Sequence, residues 1–334
     1  MVESSAYWLR GLIVFTAQSL GCPVGHGAPV DSGVERGIPL YTECFAADPH
    51  RAYREMRDRY GALVPVELSP GVPATLVIGY REALRILHDP EHFPADPRVW
   101  ERGVPAGCPV LPMMQWRPNA LRTAGVQHAR YREANVDALG RVDLHRTHAV
   151  VEQIALTHIN RLCEVGEADL VGEFAFPVVF DTICALMGCE ADVSVQAVEG
   201  MAMMFDTVNA ARGNELLLAA LAELVHRKRA CPGEDITSWL ISHHTGLDDE
   251  ELVQQLVTIF GATSEPQTNL IINTLLVMMT GDRFGGSVTG GSLSTRDALD
   301  EVLFTDPPMA NFAITYPRQP ILIGTVWLPP INRW

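Results

Sequence analysis

DEELVQQLVTIFGATSEPQTNLIINTLLVMM, residues 249 to 279, is the stretch on which the fold turns. Leu252, Leu256, Ile259 and Phe260 recur at helical spacing as one apolar stripe, and Leu270 to Met279 is then almost purely hydrophobic. Such a pattern implies a helix buried on most sides. Glu265, Gln267, Thr268 and Asn269 break the run before it reaches membrane-spanning length, so the segment reads as a core helix. A carboxylate, several hydroxyls and Pro266 crowd its middle. Proline removes a backbone donor and clashes with the carbonyl of Ala262, which frees that carbonyl and bends the helix. Two readings stay open: polar groups beside a freed carbonyl that organise water, or a kinked helix whose polar residues are satisfied by neighbours.

Upstream, Asp48-Pro49 is a helix start, with an acidic cap and proline in the first turn, and a helix follows to Tyr60. Leu63 to Leu68 and Ala74 to Gly79 are β-rich runs joined by Ser69-Pro70-Gly71, a hairpin pattern. Tyr80 to His88 returns to helical spacing and stops at Asp89-Pro90. Phe93 to Pro118 is rich in proline and glycine and reads as an irregular loop carrying Met113, Met114 and Trp116. From Val126 to Met279 nearly every segment reads as helix, including Asp143 to Cys163, Asp169 to Met187 and Asn214 to Arg229. Asn311 to Leu328 reverts to short strands broken by prolines, and Gly281 to Gly291 reads as a glycine-rich loop. The order predicts a mainly α fold with a small β lobe, some of whose strands come from both chain ends.

Composition narrows the function classes. The 334 residues are 47% apolar and 19% charged, enough to bury a large core. Lys and Arg number 25 against 40 Asp and Glu, a net charge of -15 that repels a polyphosphate backbone, so no nucleic-acid partner is expected. The seven cysteines are scattered and never form Cys-x-x-Cys, which suits reduced thiols in the cytoplasm better than disulfides or a zinc site. Cys184 and Cys189 lie in an apolar run and read as small buried hydrophobes. The apolar stretch from Trp8 to Leu20 is too short to span a bilayer, and Leu20-Gly21-Cys22 makes a faint export signal, so a flexible extension and no membrane association are expected.

His128 and Arg132, four apart at the start of a helix (GVQHARYR, 125 to 132), project from one face. That face can grip an anion or simply be solvated. His145 with His148, and His243 with His244, are the other candidate ligand pairs; both read as solvent-facing, and no metal site is expected.

Taken in order, from about Pro39 to Pro329, these segments resemble the cytochrome P450 family. ADPHRAYREMRDRYG resembles its first helix, VIGYREALRILHDPEHFPADP its second strand and helix, and GVQHARYRE its third helix. The resemblance implies haem-propionate contacts at His128 and Arg132. The long helix resembles the oxygen-binding helix, usually Ala-Gly-x-Glu/Asp-Thr; the matching residues are Ala262, Thr263, Ser264, Glu265 and Pro266. The acid is kept and the alcohol after it is replaced. By the resemblance Ala262 and Thr263 line the haem, Glu265 relays protons, and Thr268 substitutes for the lost hydroxyl. DALDEVLFTDPP resembles the Glu-x-x-Arg helix, with Glu301 in place and Phe304 where arginine stands, as in a divergent bacterial branch. Thr315 falls near another propionate-binding arginine of relatives.

The resemblance implies haem b, a monooxygenase reaction on a small organic substrate, and a ferredoxin or flavoprotein electron donor. The family's iron is held by a cysteine in a later Phe-x-x-Gly-x-x-x-Cys loop. No cysteine follows Cys231 here. The expectation is therefore a P450 fold incomplete at its C-terminus: residues 1–38 a flexible extension, 39–330 the domain, 331–334 a foreign tail, and no turnover without the thiolate. The alternative is a non-catalytic relative, either a small-molecule binding protein or a decayed gene product.

Overall fold

The computed structural model describes residues 12–14, 28–29, 37–104, 107–108, 110–205, 209–281, 283–284, 293–309 and 313–331. The readings of Leu20-Gly21-Cys22, of most of Trp8 to Leu20, of the glycine-rich residues 285–291 and of the tail 332–334 lie outside the described residues. The chain forms two compact units: 1–130 with 204–211 and 310–334, and 131–203 with 212–309.

The first unit holds all the described strands. They are β1 (Leu12–Val14), β2 (Ala28–Pro29), β3 (Ile38–Pro39), β4 (Leu63–Ser69), β5 (Val72–Val77), β6 (Ile314–Thr315), β7 (Ile321–Ile323) and β8 (Val326–Leu328). One sheet runs β3-β4-β5-β1-β6 and the other β2-β8-β7. β4 and β5 are the expected hairpin, antiparallel about Gly71, whose φ of 78° is the left-handed region that glycine enters at little cost. Alternation along the strands sorts the side chains. Val64, Val66, Leu68, Val72, Ala74 and Leu76 enter one core with Tyr53, Met56, Trp100 and Tyr316. Leu63 and Val77 enter another with Ile86, Phe93, Ile323 and Leu328. β1 pairs parallel with β6 and β2 parallel with β8, so strands from both chain ends do meet; β1 and β2 fall within the stretch read as an extension.

Four helices of this unit are α1 (Glu43–Ala47), α2 (Pro49–Tyr60), α3 (Tyr80–Leu87) and the single turn α4 (Arg98–Glu101). Asp48 caps α2 by accepting from the Arg51 N–H at 2.9 Å. α4 and a further turn, α5 (Leu111–Met114), occupy the region expected to be irregular throughout. Proline opens α5, where its missing N–H costs nothing, so a proline-rich composition hid a helical turn.

The helices continue as α6 (Gly125–Gly140), which starts in the first unit, α7 (Leu144–Val165), a π-helical segment Leu170–Ala175, α8 (Phe176–Met187), α9 (Ala191–Phe205), α10 (Ala210–Ala230), α11 (Ile236–Ile241), α12 (Asp249–Thr280) and α13 (Thr295–Thr305). α12 is the core helix read from sequence, 32 residues long or about 48 Å. A capping box between Asp248 and Glu251 starts it, and the helix passes through Pro266. α6 is fastened to it by Tyr131 donating to Glu251 at 2.8 Å and Asn135 donating to Gln255 at 3.1 Å. α8 packs on it through the Phe180 and Phe260 rings, 5.7 Å apart. Among the described residues, Leu170–Met187 is long and apolar enough to cross a membrane.

Candidate functional site

The residues singled out in α12 lie on one stretch of the second unit. Their hydroxyls are spent within the helix: Thr263 donates to the Ile259 carbonyl at 2.5 Å, Ser264 to Phe260 at 2.6 Å and Thr268 to Ser264 at 2.8 Å. A hydroxyl has one proton, so each of these groups presents only acceptor lone pairs to any other partner. Glu265 has no hydrogen-bond or ion-pair partner among the described residues and is half-buried, and burial pushes its carboxyl above the ordinary range. Of the two open readings of this segment, the hydroxyls follow the structural one and the carboxylate does not. Ala262 is exposed, and a Cβ added at the neighbouring Gly261 would meet nothing within 4 Å.

Arg132 is exposed on α6, in the same unit. The α6–α12 bonds fall at Glu251 and Gln255, and Glu265 lies about 15 Å further along the helix axis. His128, on the part of α6 that belongs to the first unit, is half-buried, and its Nδ1 lies 2.7 Å from the Ala120 carbonyl. A carbonyl only accepts, so Nδ1 carries the proton and donates. Nε2 is then free to donate to an anion only when the ring is doubly protonated.

Sequence reasoning passed over Arg117 and Arg122. Both lie in the first unit and are only 8% and 4% exposed. Arg122 donates to the Met113 carbonyl at 2.8 Å. Burial pushes both guanidinium groups down, and for Arg117 the charge of Arg122 adds to it. Near them in sequence, Trp116 Nε1 is buried with no hydrogen-bond partner among the described residues, and Thr315 Oγ1, adjacent to the Tyr316 that feels the Arg122 charge, is likewise unpartnered. Trp116 Nε1 is a buried donor without an acceptor among the described residues, and two buried guanidinium groups follow it within six residues, which suits a carboxylate-bearing group such as a porphyrin. The only advance sign was two arginines in WRPNALR, just before His128. Of the three residues singled out in the proline-rich stretch, Met113 and Met114 lie in α5, with Met114 in the first core and Met113 half exposed, and Trp116 follows it.

Two further expectations are adjusted. Glu301 is not left without a cation by Phe304, because Arg283 donates to its carboxylate. His145 and His148 are exposed as read, but His243 is buried. Its Nδ1 lies 2.8 Å from Thr245 Oγ1 and its Nε2 3.7 Å from Asp137, a partner on α6 that adjacency in sequence could not reveal. No group of three or more metal-ligating side chains occurs among the described residues. The buried arginines of the first unit suit the acidic edge of a haem.

No family model matches the chain. It is 25% identical over 304 residues to cytochrome P450 107B1 of Saccharopolyspora erythraea, spanning 86% of this chain and 73% of the relative. It is 27% identical over 305 residues to 2-hydroxy-5-methyl-1-naphthoate 7-hydroxylase of Streptomyces carzinostaticus, again over 86% and 73%. Among solved structures, CYP154C4 from a Streptomyces species superposes with a TM-score of 0.79 at 27% identity, covering 88% of this chain and 75% of that one. Likeness in sequence and in architecture extends over most of the chain and agrees with the order of segments read along it: the chain has the cytochrome P450 fold and is similar in sequence to bacterial members of that family.

Proposed function

We propose that this chain is the scaffold of a haem-thiolate monooxygenase acting on a small organic substrate. The observation that carries the reading is Glu265, a partly buried and unpaired carboxyl in the middle of the core helix. Haem, when bound, supplies the activation of dioxygen. By the resemblance, His128 and Arg132 would hold its propionates, with Arg122 contributing positive potential. Burial makes Glu265 a weaker acid than a carboxyl in water, which suits a group that takes up and passes on a proton. Ala262 and Thr263 would line the site. Thr268 lies three residues on from Glu265, on the same helix face, and exchanges its bond to Ser264 for one to the carboxyl when it relays that proton. Electrons come from a ferredoxin or flavoprotein.

Relatives named as hydroxylases support the reaction class. The second reading, a non-catalytic binder of small molecules, is favoured by the hydroxyls of Thr263, Ser264 and Thr268 all being engaged within α12. One preparation tests both. A polypeptide of these 334 residues, titrated with haemin, is expected to bind it, and its reduced carbon-monoxide complex is expected to lack the thiolate band and to show no turnover. A thiolate band would refute the second half of that statement. Failure to bind haemin, with tight binding of another small ligand, would replace the first reading by the second.

A further inference from the structure

α8 ends in a motif that does more than stop a helix. Gly188, with φ of 73°, follows Met187, and the two hydrogen bonds that close the turn run from Gly188 N to Ala185 O at 3.2 Å and from Cys189 N to Cys184 O at 2.9 Å. This pair of bonds defines a Schellman turn, in which the side chains flanking the glycine at the positions of Cys184 and Cys189 come into contact. Usually that contact is hydrophobic. Here it joins two free thiols, one hydrogen-bonded to the other. Cys184 is buried and Cys189 is partly exposed.

The surroundings are charged and confined. Lys228 and Asp235 form an ion pair at 2.7 Å, and both would strike a Cβ added at Gly188, so the pair lies directly against the turn. Lys228 is near Cys189 and Asp181 near Cys184, and Ser194, whose hydroxyl donates to the Glu190 carbonyl at 3.1 Å, lies beside Cys184. Lys228 also lines a cleft of about 420 Å³ with Arg229, Ser238 and Trp239. Holding the last S–H between two sulfurs stabilises the first thiolate: the Cys184 thiol is pushed down by the bond from Cys189, while that bond and burial push Cys189 up.

We infer that Cys184 and Cys189 are a redox-active dithiol, oxidised by a low-molecular-weight disulfide to an intramolecular disulfide that locks the C-terminal turn of α8. The turn places the two residues at a separation compatible with a disulfide without rebuilding the helix. The resting thiolate is on Cys184; transfer of the bridging proton to Cys184 gives the minor form with the thiolate on Cys189, the one of the two that a small disulfide can reach. That sulfur attacks one sulfur of the small disulfide; the S–S bond breaks, and one small thiolate leaves and takes up a proton. The Cys184 sulfur, losing its proton to solvent, then attacks Cys189 of the mixed disulfide, forming the protein S–S bond and expelling the second small thiolate, which is protonated in turn. Two protein thiols lose two electrons, and one small disulfide becomes two thiols. The site is independent of haem and of the proposed reaction.

The test uses the 334-residue protein with C22S, C44S, C163S and C231S, which removes other reactive thiols; Cys44, Cys163 and Cys231 are exposed, so the fold is retained. The folded, reduced protein is incubated with glutathione disulfide, quenched by acid, unfolded with an alkylating agent and mapped by mass spectrometry. The expected result is loss of two hydrogens, protection of both Cys184 and Cys189 from alkylation, and reversal by dithiothreitol. Adding C184S should leave one glutathione adduct on Cys189, and adding C189S should leave Cys184 unmodified. Alkylation of both cysteines after incubation of the folded wild-type pair, or a cross-link that forms only after unfolding, would overturn the proposal and return the pair to a packing contact.

Discussion

Glu265 shows how one residue can carry both a cost and a use. Its carboxyl has an ordinary value of 4.5 and is pushed above it by burial. The folded state therefore holds a proton that the unfolded chain has released. The stabilisation this gives is complete below 4.5 and is lost as pH rises through the folded value. Glu265→Gln keeps the shape and removes the titration. The variant is expected to be the more stable of the two at neutral pH, and the difference should shrink as pH falls below the ordinary carboxylate value. Paired urea titrations across that range provide the measurement; a difference that grows on acidification would contradict the burial argument. The acid was legible in the sequence because a carboxylate inside an apolar helix needs a reason. The engagement of Ser264 and Thr268 was not, since back-bonding depends on side-chain rotamer rather than on residue type.

At the scale of the element, α12 combines a strong start with a weak centre. The capping box at Asp248 and Glu251 satisfies early donors, while Pro266 removes one bond to Ala262 and crowds its carbonyl. Pro266→Ala restores that bond. It is expected to raise stability by up to about 3 kcal/mol, read as a higher melting temperature in calorimetry. An unchanged or lower value would mean that the proline is favoured by packing around it. The extent of this helix was plain from its periodicity, as was the β4–β5 hairpin, because both rest on local spacing. The single turns α4 and α5 were missed, since a helical turn opened by proline has no periodicity to read. His243 was misjudged because its burial depends on α6, more than a hundred positions earlier in the chain.

At the scale of the molecule, the second unit presents an apolar surface at the ends of α12 and α13. Leu276, Met279, Leu303 and Phe304 are exposed there, Phe304 at 90%. Such a surface favours self-association. Phe304→Arg is expected to weaken it by about tenfold or more, in line with roughly 1.5–3 kcal/mol for burying one such side chain. Sedimentation across a concentration series would show it, and equal association of both proteins would place the sticky surface elsewhere. What the sequence determined alone was the class and order of elements, the resemblance that named the fold, and the identity of the acid in the core helix, because periodicity, turn chemistry and a misplaced carboxylate are written in neighbouring residues. What only the tertiary structure decided was which polar groups meet which: Arg283 reaching Glu301, Arg122 buried near Tyr316, and Cys184 against Cys189. Burial and pairing arise when distant segments or a particular turn geometry bring atoms together, and no local pattern encodes that meeting.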